Sequence, residues 1–124
     1  MLNRLADNAQ HIVISVKLTD FRKQIDGLVA IVSTQFRLDP YSDKYIFIFC
    51  NKRKNTIRVL RYDKNGFILA TKKLLDKMKF QWPSTADDVK AIDSKQLQWL
   101  LDGLEIEQKK AHHKVDLTLK NTCY

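Results

Sequence analysis

The sequence is most constrained between residues 44 and 73, where three short apolar segments follow one another with almost no chain between them. KYIFIFC, 44–50, is apolar at both phases of a strand, as expected of a central strand. TIRVLRY, 56–62, sets Ile57, Val59 and Leu60 among Arg58 and Arg61, and GFILATK, 66–72, follows Asp63-Lys64-Asn65-Gly66. Asn-Gly between apolar runs is a strong hairpin signal, because both residues tolerate the positive φ that a tight turn needs. The other joint, Asn51-Lys52-Arg53-Lys54-Asn55, is also tight and very basic. Joints this short connect neighbours running in opposite directions, so 44–73 reads as an antiparallel β-meander.

The flanking segments supply the other elements. HIVISVK, 11–17, is β-branched and apolar, a strand. Residues 20–36 place Phe21, Ile25, Leu28, Val29, Val32 and Phe36 at three- and four-residue steps, the stripe of a helix capped by Thr19 or Asp20. Gly27 interrupts that helix and implies a close backbone approach there. A second helix, 94–104, begins at Asp93 or Ser94, with Leu97, Leu100, Leu101 and Leu104 on one face and Trp99 on another. Leu28, Val32, Phe36, Ile46, Ile48 and Val59 form the expected core. The sum is an α+β fold: one domain over 1–104, with an antiparallel sheet and helices gathered on one side. Residues 105–124 read as a tail, frayed or contributing one edge strand at VDLTL, 115–119.

A chain of 124 residues is long enough for one real core. No apolar run approaches the roughly 20 residues that cross a bilayer, and MLNRLADNAQ lacks a secretory apolar core, so no membrane partner and a cytoplasmic location are expected. Cys50 lies in an apolar run, Cys123 is next to last, and neither has metal-ligand spacing.

The net charge of +8 is concentrated. Residues 1–43 carry five basic and five acidic side chains; residues 44–79 carry eleven basic and two acidic, hence +9. Residues 80–104 sum to −2 and 105–124 to +1. A focused positive field draws polyanions, although a solvated basic face also serves solubility alone.

Five blocks then occur in order: TDFRKQIDGLVAIV (19–32), FIFCNKRKNTIRVL (47–60), YDKNGFILATKKL (62–74), FQWP (80–83) and QLQWLLDGL (96–104). In these the chain resembles the second open-reading-frame product of IS-sixty-six-type bacterial insertion sequences, often called TnpB and unrelated to the RNA-guided nuclease sharing that label. The family's motifs correspond to Asp20, Arg22 and Lys23; to Cys50, Asn51, Lys52, Arg53 and Lys54; to Asp63 and Gly66; and to Trp82 and Pro83. Arg61 stands where the family has an aromatic, and Leu75 where it has a glutamate. The resemblance implies an accessory protein of DNA transposition, working beside a separate DDE-type transposase or a sister accessory protein.

The expected nucleic-acid contacts are Lys52, Arg53, Lys54, Arg58, Arg61, Lys72 and Lys73, acting on phosphates, with DNA as the expected partner. Arg58 and Arg61 sit at opposite phases of one strand, so they cannot share a face. Arg22, Lys23, Trp82 and Trp99 are candidates for a partner interface. Plainer readings stand beside these: a helix cap with a local ion pair for Asp20, Arg22 and Lys23, and a core edge for Trp82. Catalysis is not expected. The carboxylates are scattered rather than clustered for two metal ions, there are three glycines and no phosphate loop, and no nucleophile has a known histidine setting. His112-His113 is a poor metal pair, so no metal and no cofactor is expected. Three readings stay open: a phosphate-gripping DNA-binding factor, a protein adaptor for the transposase with the basic face incidental, and RNA binding, for which the signature aromatic strand motif is missing.

Overall fold

The computed structural model describes residue 6 and residues 9–108. The edge strand expected at 115–119, His112-His113 and Cys123 lie outside the described residues. In chain order the elements are β1 (His11–Ser15), α1 (Ile25–Thr34), β2 (Tyr45–Cys50), β3 (Thr56–Asp63), β4 (Gly66–Lys73), β5 (Val89–Ile92) and α2 (Ser94–Leu101). The strands make one sheet in the order β4-β3-β2-β1-β5.

The meander forms as expected. β2 pairs antiparallel with β3, Phe47 opposite Leu60, and β3 with β4, Val59 opposite Ala70. The sheet as a whole is mixed, which corrects the expectation of an antiparallel one. β1 runs parallel to β2, with Ile12 opposite Ile46. The physical reason is the crossover: α1 returns the chain to the end where β1 began, which parallel neighbours require. β5, absent from the sequence reading, closes the other edge antiparallel to β1, with Val13 opposite Ala91.

The two helices lie on opposite faces rather than on one. Leu28, Ile31 and Val32 of α1 pack with Val13, Phe47, Phe49 and Leu60. Leu97, Leu100 and Leu101 of α2 pack with Ile12, Ile14, Ile46, Ile48, Cys50, Ile57 and Val59, joined by Phe80, Trp82 and Ile106. The cause is β2 itself. Its side chains are buried at both phases, from Ile46 through Cys50, so both faces need a cover. Of the expected core, Leu28, Val32, Ile46, Ile48 and Val59 are buried. Phe36 is only half-buried, at the margin of the α1 cluster, with its ring 6.2 Å from that of Phe49. Ile106 is buried too, so apolar packing continues past the boundary drawn at 104.

Helix α1 begins later than expected. Its N-cap is Gln24, which makes no side-chain cap bond. Thr19 instead bridges to Asn51, and Asp20 closes a turn onto the Arg22 amide at 3.0 Å. A Cβ on Gly27 would stand 3.0 Å from that of Lys23, so the close neighbour is local. Helix α2 takes the first of its two expected caps: Asp93 accepts from the Gln96 amide at 2.8 Å, and the Gln96 side chain accepts from the Asp93 amide at 3.0 Å. It ends earlier than expected. Gly103, at φ 83°, donates to the Leu100 carbonyl, and Leu104 donates to that of Trp99 at 2.8 Å. This closure stops the helix and turns Leu104 out of the leucine stripe, leaving it 45% exposed.

Candidate nucleic-acid interface

One end of the sheet gathers most of the basic turns. The β2–β3 loop is stapled by Asn51, whose Nδ2 donates to Asn55 Oδ1 at 2.7 Å and whose Oδ1 accepts from the Asn55 and Thr56 amides, each at 3.1 Å. The Lys54 amide donates to the Asn51 carbonyl, and Lys54 adopts φ 60°. Lys52 and Arg53 are exposed at the tip, and Lys54 is half-buried. None of the three side chains has a hydrogen-bond or ion-pair partner among the described residues. The segment after β4 is tied to this loop, Leu74 donating to the Asn55 carbonyl at 2.8 Å and Phe80 to the Lys54 carbonyl at 2.7 Å. That link brings Lys73, Lys77 and Lys79, all exposed, to the same end. Lys77 and Lys79 were missing from the sequence-derived site, although they belong to its basic count.

The other expected contacts point elsewhere. Arg58 lies on the α1 face. Its guanidinium donates to the carbonyls of Phe21 at 3.1 Å and Lys23 at 3.0 Å, and stands 4.5 Å over the Phe21 ring. It clamps the turn before α1, at the cost of a buried Nε with no partner. Arg61, at the opposite phase, donates to the Asp43 carbonyl at 2.9 Å. Lys72 donates to the Leu101 carbonyl at 2.8 Å, a cation at the end of α2 where the helix dipole favours it. These three are committed to the fold, whereas Lys52, Arg53, Lys54 and Lys73 face outward or into a groove.

That groove, about 450 Å³, is lined by Lys17, Lys52 and Lys54 opposite Trp82, Ser84 and Thr85. Lys17, also missed from the sequence, pairs with Asp88 at 3.0 Å. Trp82 is buried, and its Nε1 is committed to the Ser15 carbonyl at 2.8 Å, which fits a core edge better than a stacking platform. Arg22 is 92% exposed at its side chain but gripped by Asp20 through three side-chain bonds, the shortest 2.7 Å. Those bonds, the Arg22 amide and, more weakly, the charge of Lys52 hold the Asp20 carboxyl well below the usual carboxylate range. Lys23 is exposed. Trp99 is half-buried with Lys95 Nζ 5.4 Å from its ring centroid. Among the described residues, no three histidine, cysteine, aspartate or glutamate side chains form a metal-binding group. No helix there is long and apolar enough to cross a membrane.

Comparison with known proteins agrees with the blocks that carry the resemblance. No solved structure matches the chain significantly. An uncharacterized protein of Sinorhizobium fredii, y4jC, is 34% identical over 94 residues, covering 76% of this chain and 79% of its own length. A second from the same organism, y4hO, is 33% identical over 87 residues, covering 70% and 74%. The model of the IS66 Orf2 like protein family matches residues 10–111, a span that takes in both helices, all five strands and the basic end of the sheet. The chain therefore belongs to the IS66 Orf2-like family, the accessory proteins associated with transposition of these insertion sequences.

Proposed function

We propose that the chain is a non-catalytic accessory factor of transposition that grips DNA through its phosphates, using the basic end of the sheet. One observation carries the reading: Lys52 and Arg53 stand exposed, with no hydrogen-bond or ion-pair partner among the described residues, on a loop whose shape Asn51 holds. Fixed cations at one point favour phosphate oxygens and carry no sequence code, so binding is expected to be strong in charge and weak in specificity. Lys54, Lys73, Lys77 and Lys79 extend the same field. A titration of duplex, single-stranded and RNA oligomers at several salt concentrations tests the reading. Affinity for duplex is expected to fall by about 0.9 log units per log unit of salt for each phosphate neutralised. If the chain binds no oligomer at physiological salt, the reading is lost. The site then moves to α2, where the half-exposed Trp99 ring favours an adaptor that docks on the transposase.

A further inference from the structure

The segment leaving β4 has a composition that phosphate binding does not explain. Leu75 is 76% exposed and Met78 61%, the two most exposed large apolar side chains among the described residues. They stand at the two ends of one turn. The Met78 amide donates to the Leu75 carbonyl at 3.2 Å, and Asp76 at φ 54° makes the reversal. Such a turn keeps its end Cα atoms within about 7 Å, so the two apolar residues flank its Asp76-Lys77 apex as near neighbours. The turn has a fixed base, because Leu74 and Phe80 on either side are bonded to the backbone of the basic loop and Phe80 is buried in the core. Its surroundings are mainly cationic: Lys77 shares the apex with Asp76, Lys73 and Lys79 are exposed on either side, and Lys52 and Arg53 lie on the adjoining loop.

We propose that the 75–78 turn is a wedge for duplex DNA: Leu75 and Met78 enter between base steps while the surrounding cations hold the phosphates, so that binding bends the duplex. The proposal rests on the phosphate-binding reading above. Charge complementarity selects the occupant, since Lys52, Arg53, Lys54, Lys73, Lys77 and Lys79 stand at this end of the sheet and Asp76 is the one acid in the turn. Size argues the same way. Two side chains on a tight turn are far short of the 20–30 residues a stable protein interface takes from each side. They are the residue types and the scale of an intercalating wedge, which unstacks a base step and kinks the helix.

The test uses the full chain and a duplex carrying a fluorescence donor and acceptor at its ends. The parent is expected to bind and to raise energy transfer. The Leu75→Ala, Met78→Ala double variant is expected to bind with the same salt slope but to lose the rise. Lys52→Ala with Arg53→Ala is expected to lower the slope by up to about 1.8, the share of two phosphates. Unchanged urea midpoints in both variants keep the comparison at the surface. Binding without a rise, or an equal rise in the apolar variant, overturns the wedge and leaves phosphate binding standing. A parent that binds no duplex overturns both. If it instead binds vesicles of phosphatidylserine and phosphatidylcholine through Leu75 and Met78, the turn belongs to an anionic lipid surface and the DNA proposal falls.

Discussion

The Trp82 indole N–H donates to the main-chain carbonyl of Ser15, 2.8 Å away, tying the segment after β4 to the end of β1 across 67 residues of sequence. Trp82 is buried against the α2-side core, so its polar handle and its ring are both used internally. Trp82→Phe keeps most of the apolar contact but leaves the Ser15 carbonyl without this donor. The expected loss is about 1–3 kcal/mol in urea unfolding, the usual cost of stranding a buried acceptor. Trp82→Ala should cost about 3–5 kcal/mol. A Trp82→Phe variant as stable as the parent would show that water satisfies that carbonyl.

Arg58 and the 52–54 loop should separate cleanly in mutation. Arg58→Met keeps an apolar stem but removes the donors to the Phe21 and Lys23 carbonyls, so stability should fall by about 1–3 kcal/mol. The salt slope of DNA binding should not move. Replacing Lys52 and Arg53 by alanine and Lys54 by glycine should do the reverse, flattening the slope by up to about three contacts' worth with the fold retained. Glycine is the right choice at 54 because φ there is 60°, a region where a Cβ is costly. Equal slopes in parent and triple variant would remove the loop from the interface.

Asn51 is the structural residue inside the basic motif. Its amide spans the loop with three hydrogen bonds, to the Asn55 side chain and to the Asn55 and Thr56 amides. Asn51→Ala should therefore destabilise the protein by about 1–3 kcal/mol and weaken phosphate binding as well, because the cations beside it lose their fixed placement. Amide exchange at Asn55 and Thr56 reports the first effect and the titration the second. Unchanged protection at both amides would show that the loop holds its shape without the staple.

The meander was legible because short joints and an Asn-Gly turn leave little choice of topology. The start of α2 was legible to within one residue, Asp93 or Ser94, and the Gln96 box is what settles it on Asp93. The parallel β1–β2 pair was less so, since orientation depends on how a crossover returns and strand composition alone does not state it. The apolar faces of β2 did hold the evidence for helices on both sides: Phe47 and Phe49 need one cover, Ile46 and Ile48 another. β5 has four residues, Val89–Ile92, and gives too short a pattern to stand out. At the candidate site, the charge of the 52–54 loop was legible in the sequence, but not the fate of Arg58, Arg61 and Lys72. Charge is a property of the residue, whereas a carbonyl within reach of the side chain is a property of the fold.

Cys50 supplies a pH test of the core. It is fully buried at the end of β2, and burial pushes its thiol from 9.0 up to about 12, against a smaller opposing pull from Lys54. The folded pKa is thus above the unfolded one. The associated stability is complete below pH 9 and is lost as pH rises toward 12, because only the unfolded chain then releases the proton. In a Cys123→Ser background, the native thiol should resist alkylation at pH 8 and become reactive in urea. Cys50→Ala should lower stability at neutral pH by emptying a packed position. Between pH 9 and 12 the parent should lose the difference, at up to about 1.4 kcal/mol per pH unit, while the variant lacks that component. Rapid alkylation of the folded protein at pH 8, or parallel alkaline profiles for the two proteins, would show that the thiol reaches water.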